Sequence, residues 1–412
     1  MIRTTAALVL VGLVAAGDAP STSRTTCPSG TGVGHLAYVK AGALTVLDMP
    51  ACSSRVLVPR NAGPPVRWSA DGRYLSFSGG VVEADGGRLF RGLHGVWAPR
   101  GHGLARITLN GGVTVAGPGL PDRQVVPDGF GAHSVAFDPA GRRLAVARAH
   151  PREAMPPRDR QLWIVDLTTG TRRLVYRPPA RNPRTPVLVR WDGDFVLFTL
   201  ALLPASSANL DGLPLHAVSA RGGAAPRVAD ASLSYPEFFA RCGGRLAFVA
   251  GFDRMTTRGK RIVLATPPRW RGIEVSRDRG RSWVSPACSR TGRLIAASAG
   301  RSWTQSRFGL ERRSIWLLSA EGRTRRRLTA PPPGRSDELP RWTSDGRGLL
   351  FVRSGPTTLQ AAARGSLYVV RLDRVLGGPL VDLGMTGNYY GRYGWAEQTD
   401  LYIPRGNQSA RR

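Results

Sequence analysis

Arg67-Trp68-Ser69-Ala70-Asp71-Gly72-Arg73-Tyr74-Leu75 is the stretch on which the fold turns, because the chain repeats it. The phrase returns as Phe137-Asp138-Pro139-Ala140-Gly141-Arg142-Arg143-Leu144 and as Arg341-Trp342-Thr343-Ser344-Asp345-Gly346-Arg347-Gly348-Leu349. Each copy joins an aromatic residue, a short polar segment suited to a tight turn, and an apolar run of strand-forming character. Repetition of one supersecondary unit marks a solenoid or propeller, in which no unit buries its apolar face alone.

Working outward from these copies gives eight anchor positions: Trp68, Trp97, Phe137, Trp191, Cys242, Cys288, Trp342 and Trp395. Most of their spacings lie near or above the roughly 40–45-residue period of four-stranded propeller blades, and none suits the leucine-rich repeat. Strands at 74–77, 144–147, 195–200, 246–250 and 349–353 follow the anchors and run apolar or alternate, as buried and half-buried strands do. A third strand follows at 161–166, 314–318 and 366–370, and a short fourth at 171–176 or 324–329. The expected fold is all-β, a single propeller of four-stranded blades. The first strands, 35–40, 43–48 and 54–59, have no anchor ahead of them, while Trp395 has little chain behind it. Each end lacks what the other supplies, so strands from both termini should build the closing blade and leave no edge exposed. Eight blades are expected, with seven as the alternative because the interval from Trp68 to Trp97 is short.

Met1-Ile2-Arg3, an apolar run over 6–16 and the small residues after it have the layout of a secretory signal, assigned to 1–17. Residues 18–34 read as an N-terminal segment, 35–404 as the propeller and 405–412 as a disordered tail. No later stretch reads as transmembrane, so an extracytoplasmic monomer is expected: periplasmic, cell-surface or secreted. In an oxidising compartment four cysteines read as two disulfides. Of the three pairings, Cys27 with Cys52 and Cys242 with Cys288 are favoured, the second pair because both hold the anchor position of successive units.

The net charge of +30 favours anionic partners. Only Lys40 and Lys260 are lysines, and arginine bias with abundant glycine and proline also reads as background composition. Export removes nucleic acid as a partner, and Arg172-Arg173 and Arg325-Arg326-Arg327 read as solvated strand edges.

The W-S-x-D-G-R-x-L-x-F phrase at 68–77 and 342–351, with the Leu162-Trp163-Ile164-Val165-Asp166 strand and the Arg326-Arg327-Leu328-Thr329 strand, resembles the repeats of TolB-type, WD-repeat-like propellers. The resemblance covers about residues 35 to 404 and implies a propeller outside the cytoplasm that binds proteins or cell-envelope components, not an enzyme. The separate N-terminal α/β domain of TolB-type proteins is not expected here.

Arginine precedes the anchor at Arg67, Arg190, Arg241 and Arg341. Placed at one level around an axis, these guanidiniums would suit carboxylate or phosphate through paired hydrogen bonds; the competing reading pairs each with a carboxylate of its own blade, such as Asp71, Asp192 or Asp345. Ser276, Asp278, Gly280 and Trp283 resemble an Asp-box, a structural turn motif. Catalytic signals are thin. His94 and His102 lack the carboxylate a zinc site would add, and no metal or cofactor is expected. Asp337-Glu338 and Asp192 with Asp194 are the carboxylates a propeller-fold glycosidase or polysaccharide lyase, the alternative function, would draw on. Tyr389, Tyr390, Tyr393 and Trp395 read as closure packing before a stacking platform. The loops 148–158 and 301–313 are expected on one face and are the first place to look for a partner. The function expected is an exported, non-catalytic scaffold for a protein or an anionic envelope polymer.

Overall fold

A computed structural model of the chain describes residues 22–24, 27, 34–150, 158–202, 210–302, 313–355, 362–372 and 378–404. The signal segment 1–17, the tail 405–412 and the middles of the two long loops, 151–157 and 303–312, lie outside the described residues. Eight antiparallel sheets form the eight blades of a propeller. Blades 1 to 7 span residues 67–91, 96–126, 132–176, 185–232, 239–274, 281–327 and 336–386, each a four-stranded meander. Blade 8 takes its inner strand from Thr399–Tyr402 and its next three from His35–Lys40, Ala43–Asp48 and Ser53–Val58; Thr22–Arg24 adds a fifth, outermost strand. Both termini thus build the closing blade, in the register His35 to Tyr402 and Leu36 to Leu401. Eight blades fit because blade 1 economises: its inner strand is only Arg67–Trp68 and its second only Tyr74–Phe77.

The core lies between blades, where strand faces of neighbouring sheets meet; the largest cluster joins blades 4, 5 and 6 through Leu197, Phe248, Trp270 and Trp283. The turn phrase explains itself at atomic detail. Tyr74 N–H donates to Ser69 Oγ at 3.0 Å, and that hydroxyl donates to Asp71 Oδ1 at 2.7 Å. Thr343 repeats the device, donating to Asp345 Oδ1 at 2.6 Å and accepting from Gly348 N–H at 3.0 Å. Gly72 and Gly346 follow with φ of 72° and 66°, which favours glycine over residues with a Cβ.

Three of the anchor indoles stitch blade to blade. Trp97 Nε1 donates to Arg67 O at 3.1 Å, Trp342 Nε1 to Ala287 O at 2.9 Å, and Trp68 Nε1 to Asp400 O at 3.3 Å. Each bond reaches the residue just before the anchor of the preceding blade. Cys242 and Cys288 hold the anchor position in blades 5 and 6 and are joined by a disulfide, Cα to Cα 5.3 Å. Cys27 and Cys52 form the second, with Cα atoms 5.7 Å apart. One anchor must be corrected. Trp395 is not on the inner strand of blade 8 but opens a single helical turn, Trp395–Gln398, ahead of it. By register Leu401 holds the anchor place, so Asp400 is the pre-anchor residue that accepts from Trp68.

Arg172-Arg173 and Arg325–Arg327 lie exposed on the outermost strands of blades 3 and 6. The Asp-box residues lie on the link from blade 5 to blade 6 and its first inner residues. There Ser276 Oγ accepts from Ile262 N–H at 3.2 Å, Asp278 Oδ1 accepts from Gly280 N–H at 3.0 Å, and Trp283 is fully buried. Among the described residues no helix is long and apolar enough to cross a membrane.

Candidate functional site: the axial cavity

The axis of the propeller is closed at one mouth and open at the other. After the outer strand of blade 7 the chain forms a small hairpin, Asn388–Tyr389 with Arg392–Tyr393, and then the Trp395–Gln398 turn. This segment crosses the axis. Tyr390 O accepts from Thr256 N–H of blade 5 at 3.0 Å, and Gly391 O from Arg313 of blade 6 at 3.0 Å. Glu397 O accepts from Val66 N–H, next to blade 1, at 2.7 Å. Blades 1 and 5 stand opposite each other in a ring of eight, so the hairpin and turn plug the mouth at which the inner strands begin.

Beneath the plug lies a charged network. Arg313, 2% exposed, donates to Glu338 Oε1 and Oε2 at 3.0 Å each and to Thr256 Oγ1 at 2.7 Å. Arg392 pairs with Glu237 at 2.6 Å and Glu397 at 2.9 Å, and its guanidinium lies 4.0 Å from the Tyr235 ring centre. Burial pushes the Glu338 carboxyl above its ordinary value, against the opposing pull of Arg313, and burial likewise raises the Tyr393 phenol. The space these groups enclose, about 20 Å³, is the size of a water molecule.

On the other side the axis opens into a cavity of about 410 Å³. Its wall is shaped by a device used twice. Ser285-Pro286 in blade 6 and Leu339-Pro340 in blade 7 interrupt the inner-strand ladders as bulges, with φ of 51° at Ser285 and 55° at Leu339. A leucine held in the left-handed region is sterically costly, and such strain concentrates at ligand clamps. Both bulges line the cavity, and Ser285 and Leu339 also border the small space beneath the plug.

Arg67 and Arg341 line the same cavity, with Asp400 of blade 8 on the wall as well. The three are pre-anchor residues of consecutive blades, 7, 8 and 1. Arg67 donates to Val66 O at 2.6 Å and Ala396 O at 3.0 Å, and Arg341 to Thr399 O at 3.0 Å. Asp400 spends its carboxylate on backbone amides, accepting from Trp68 N–H at 2.8 Å and Leu401 N–H at 3.0 Å. Burial draws the Arg341 guanidinium below its ordinary value; Arg67 adds to that shift, while Asp400 and Glu237 oppose it. Even so an arginine stays protonated, so the wall carries two guanidiniums whose hydrogen bonds, among the described residues, go to carbonyls.

The four pre-anchor arginines therefore divide into two pairs. Arg190 and Arg241, of blades 4 and 5, stand away from the cavity lining; Arg241 lies 3.4 Å from Asp192, and the Arg190 Nε is buried without a hydrogen-bond partner. Other candidates are bound up structurally. Asp337 pairs with Arg353 at 2.7 Å, His102 Nδ1 bonds Asp71 Oδ2 at 2.8 Å, and His94 Nδ1 bonds Gly92 O at 2.9 Å. Tyr393 and Trp395 are buried in the closure core. Among the described residues no group of three or more His, Cys, Asp or Glu could hold a metal. The strands flanking both long loops end on the plugged face. Glu237, Arg313, Arg392 and Asp400 were not singled out from sequence. The first three sit on links outside the repeat, and Asp400 precedes a leucine, not the aromatic residue that marks the other anchors. The one signal was Asn388-Tyr389-Tyr390-Gly391-Arg392-Tyr393-Gly394, a turn-rich stretch that fits no blade strand.

No protein-family model and no curated protein sequence matches this chain. Among solved structures it is similar to dipeptidyl peptidase 4 of Porphyromonas gingivalis, at 11% identity and a TM-score of 0.54, over 87% of this chain and 60% of that one. It is also similar to a putative TolB of Agrobacterium tumefaciens, at 13% identity and a TM-score of 0.37, over 69% of this chain and 94% of that one. A third is an oligogalacturonate lyase of Vibrio parahaemolyticus, at 13% identity and a TM-score of 0.41, over 81% and 93%. Peptidase, TolB and lyase thus stand among the structures similar to this chain, whose own fold is an eight-bladed β-propeller.

Proposed function

We propose that this protein is an exported, non-catalytic propeller scaffold that holds an anionic group of a protein or cell-envelope polymer in its open axial cavity. The observation that carries this reading is the pair Arg67 and Arg341, which line one cavity from blades 1 and 7 while donating to backbone carbonyls. Guanidiniums so placed offer their remaining N–H groups to a carboxylate or phosphate in paired geometry. The cavity size falls in the roughly 300–1,000 Å³ range of ligand pockets. Glycoside hydrolysis needs carboxylates free to exchange protons with a bound sugar. Here Glu338 is locked to Arg313 beside a space that holds no more than a water molecule, and Glu237, which also lines the open cavity, is paired through Oε1 with Arg392. Two disulfides suit an oxidising compartment.

The test is retention of envelope components by the oxidised protein at about physiological salt, where a generic polyanion surface is screened. The Arg67→Gln/Arg341→Gln variant should lose the retained partner while still unfolding in one cooperative transition, its melting temperature lowered by the lost bonds to the Val66, Ala396 and Thr399 carbonyls. Equal retention by the variant, or sugar released without retention, would overturn the reading.

A further inference from the structure

The open axial cavity has a floor. The plug supplies it: Ala396 of the Trp395–Gln398 turn lines the cavity, and its carbonyl accepts from Arg67 at 3.0 Å. Beyond that floor lies the water-sized space. A ligand enters from one side and has no way to thread through. The cavity volume, about 410 Å³, is close to that of one turn of helix with its side chains, roughly 400–600 Å³ for a diameter of 10–12 Å and a pitch of 5.4 Å. It has room for the end of a chain, not for a folded element.

The walls divide by chemistry. Blades 5 to 7 present Ala240, Ala287, Leu339 and Trp342, all half-buried, with Pro286 and Pro340 between them. Arg341 and Arg67 stand on blades 7 and 1. Each uses one nitrogen on carbonyls, Nη1 of Arg67 on Val66 and Ala396, and Nη2 of Arg341 on Thr399. The other nitrogens of both make no bond among the described residues and keep contact with solvent. Neither guanidinium has a carboxylate within 4.0 Å among those residues. Two carboxylates share the lining, and both already have partners: Asp400 accepts from the Trp68 and Leu401 amides, and Glu237 Oε1 pairs with Arg392. A ligand carrying a row of negative charges would set some of them against Asp400 and Glu237, whereas a single carboxylate meets the two arginines.

We infer that the cavity takes the C-terminal end of a protein partner, with the terminal carboxylate on Arg67 and Arg341 and an apolar last side chain against Ala287, Leu339 and Trp342. This inference rests on the reading of the cavity as an anion site. A sugar end would press hydroxyls against the apolar wall without partners. The two bulges favour a peptide over another carboxylate such as a fatty acid. The ladder passes from Val284–Ser298 to Ala287–Ala296 in blade 6 and from Glu338–Val352 to Arg341–Leu350 in blade 7, leaving Ser285, Pro286, Leu339 and Pro340 outside the pairing. An extended chain end brings N–H and C=O groups to meet backbone of that kind.

The probe is acetyl-Ala-Ala-Ala-Leu as the free acid, titrated calorimetrically into the oxidised protein at about physiological salt, beside the same peptide as its C-terminal amide, decanoate and an alginate hexamer. The acid should bind, and the amide should bind about 10-fold more weakly or worse, the loss expected for a charge-assisted pair. Arg341→Gln should weaken the acid about 10-fold and leave the amide unchanged; equal weakening of both would assign Arg341 to structure and overturn the inference. The acid-to-amide ratio is read on the wild type, so the test stands even where Arg341→Gln fails to fold. No binding of the acid, equal binding of acid and amide, or tighter binding of decanoate or alginate would each overturn the assignment. Envelope retention that is lost in Arg67→Gln/Arg341→Gln and competed by alginate but not by the acid peptide would overturn it while the axial reading stands. Retention that survives the double substitution would remove the axial reading itself.

Discussion

Lys260 is one of two lysines in the chain and is fully buried. Its ammonium donates to the carbonyls of Gly251, Phe252 and Asp253, which close around it at the end of the second strand of blade 5. Burial lowers its pKa to about 8. The unfolded chain, with an ordinary lysine pKa near 10.4, then holds more protons than the folded one between about pH 8 and 10.5. The Lys260 contribution to stability should therefore rise across that window, by up to about 3 kcal/mol, from its least favourable level below pH 8. Urea unfolding of the wild type and Lys260→Met as a function of pH checks this. A constant difference between them would mean that the three carbonyls hold the ammonium as well as water does. At this scale sequence was an uneven guide. The charge of Arg67 and Arg341 and their register could be read directly, but Arg190 and Arg241 share that register and stand elsewhere. What a guanidinium reaches depends on the neighbouring blade, and no local pattern encodes that.

At the scale of the element, the turn hydroxyl is the part of the repeat with the clearest physical work. Thr343 both donates to Asp345 and accepts from Gly348 N–H, and it is 5% exposed. Thr343→Val keeps the shape and leaves a buried amide without its acceptor, which should lower stability by about 1–3 kcal/mol in equilibrium unfolding. Thr343→Ser should restore most of that. The turns and their following strands were legible because a hydroxyl, a carboxylate and a glycine at fixed offsets describe one backbone path. The 388–398 plug was not legible, since it occurs once and carries no period. The disulfide between blades 5 and 6 was legible as a departure from the repeat: cysteine stands where other blades place an indole that bonds across the seam.

For the whole molecule, ring closure could be foreseen from what each terminus lacked, and eight blades follow from the brevity of the blade 1 strands. The seam between blades 7 and 8 has its own fastening. Asp382 of blade 7 accepts from Lys40 of blade 8 at 3.0 Å and pairs with Arg364 of its own blade, and these contacts, Arg364 foremost, hold its carboxyl well below the usual range. A depressed folded pKa gives stability that is present above the unfolded value of about 3.9 and is lost as pH falls below it. Asp382→Asn should melt slightly lower than wild type at neutral pH, by an amount matching about 0.2–1 kcal/mol for an exposed pair. The gap should close below about pH 4, and a gap that persists at acid pH would assign the effect to packing.

The pairing of His35–Lys40 with Thr399–Tyr402 also governs when this protein can come into being. A ribosome makes those two strands almost a whole chain apart, so seven blades can form while the ring still gapes at its seam. Contacts of such long separation are slow to form and leave sticky edges open while they wait. Synthesis in time thus leaves a nascent chain with one unmade joint. Until Leu401 arrives opposite Leu36, the pairing side of His35–Lys40 and the apolar face that blade 7 turns toward blade 8 stay uncovered.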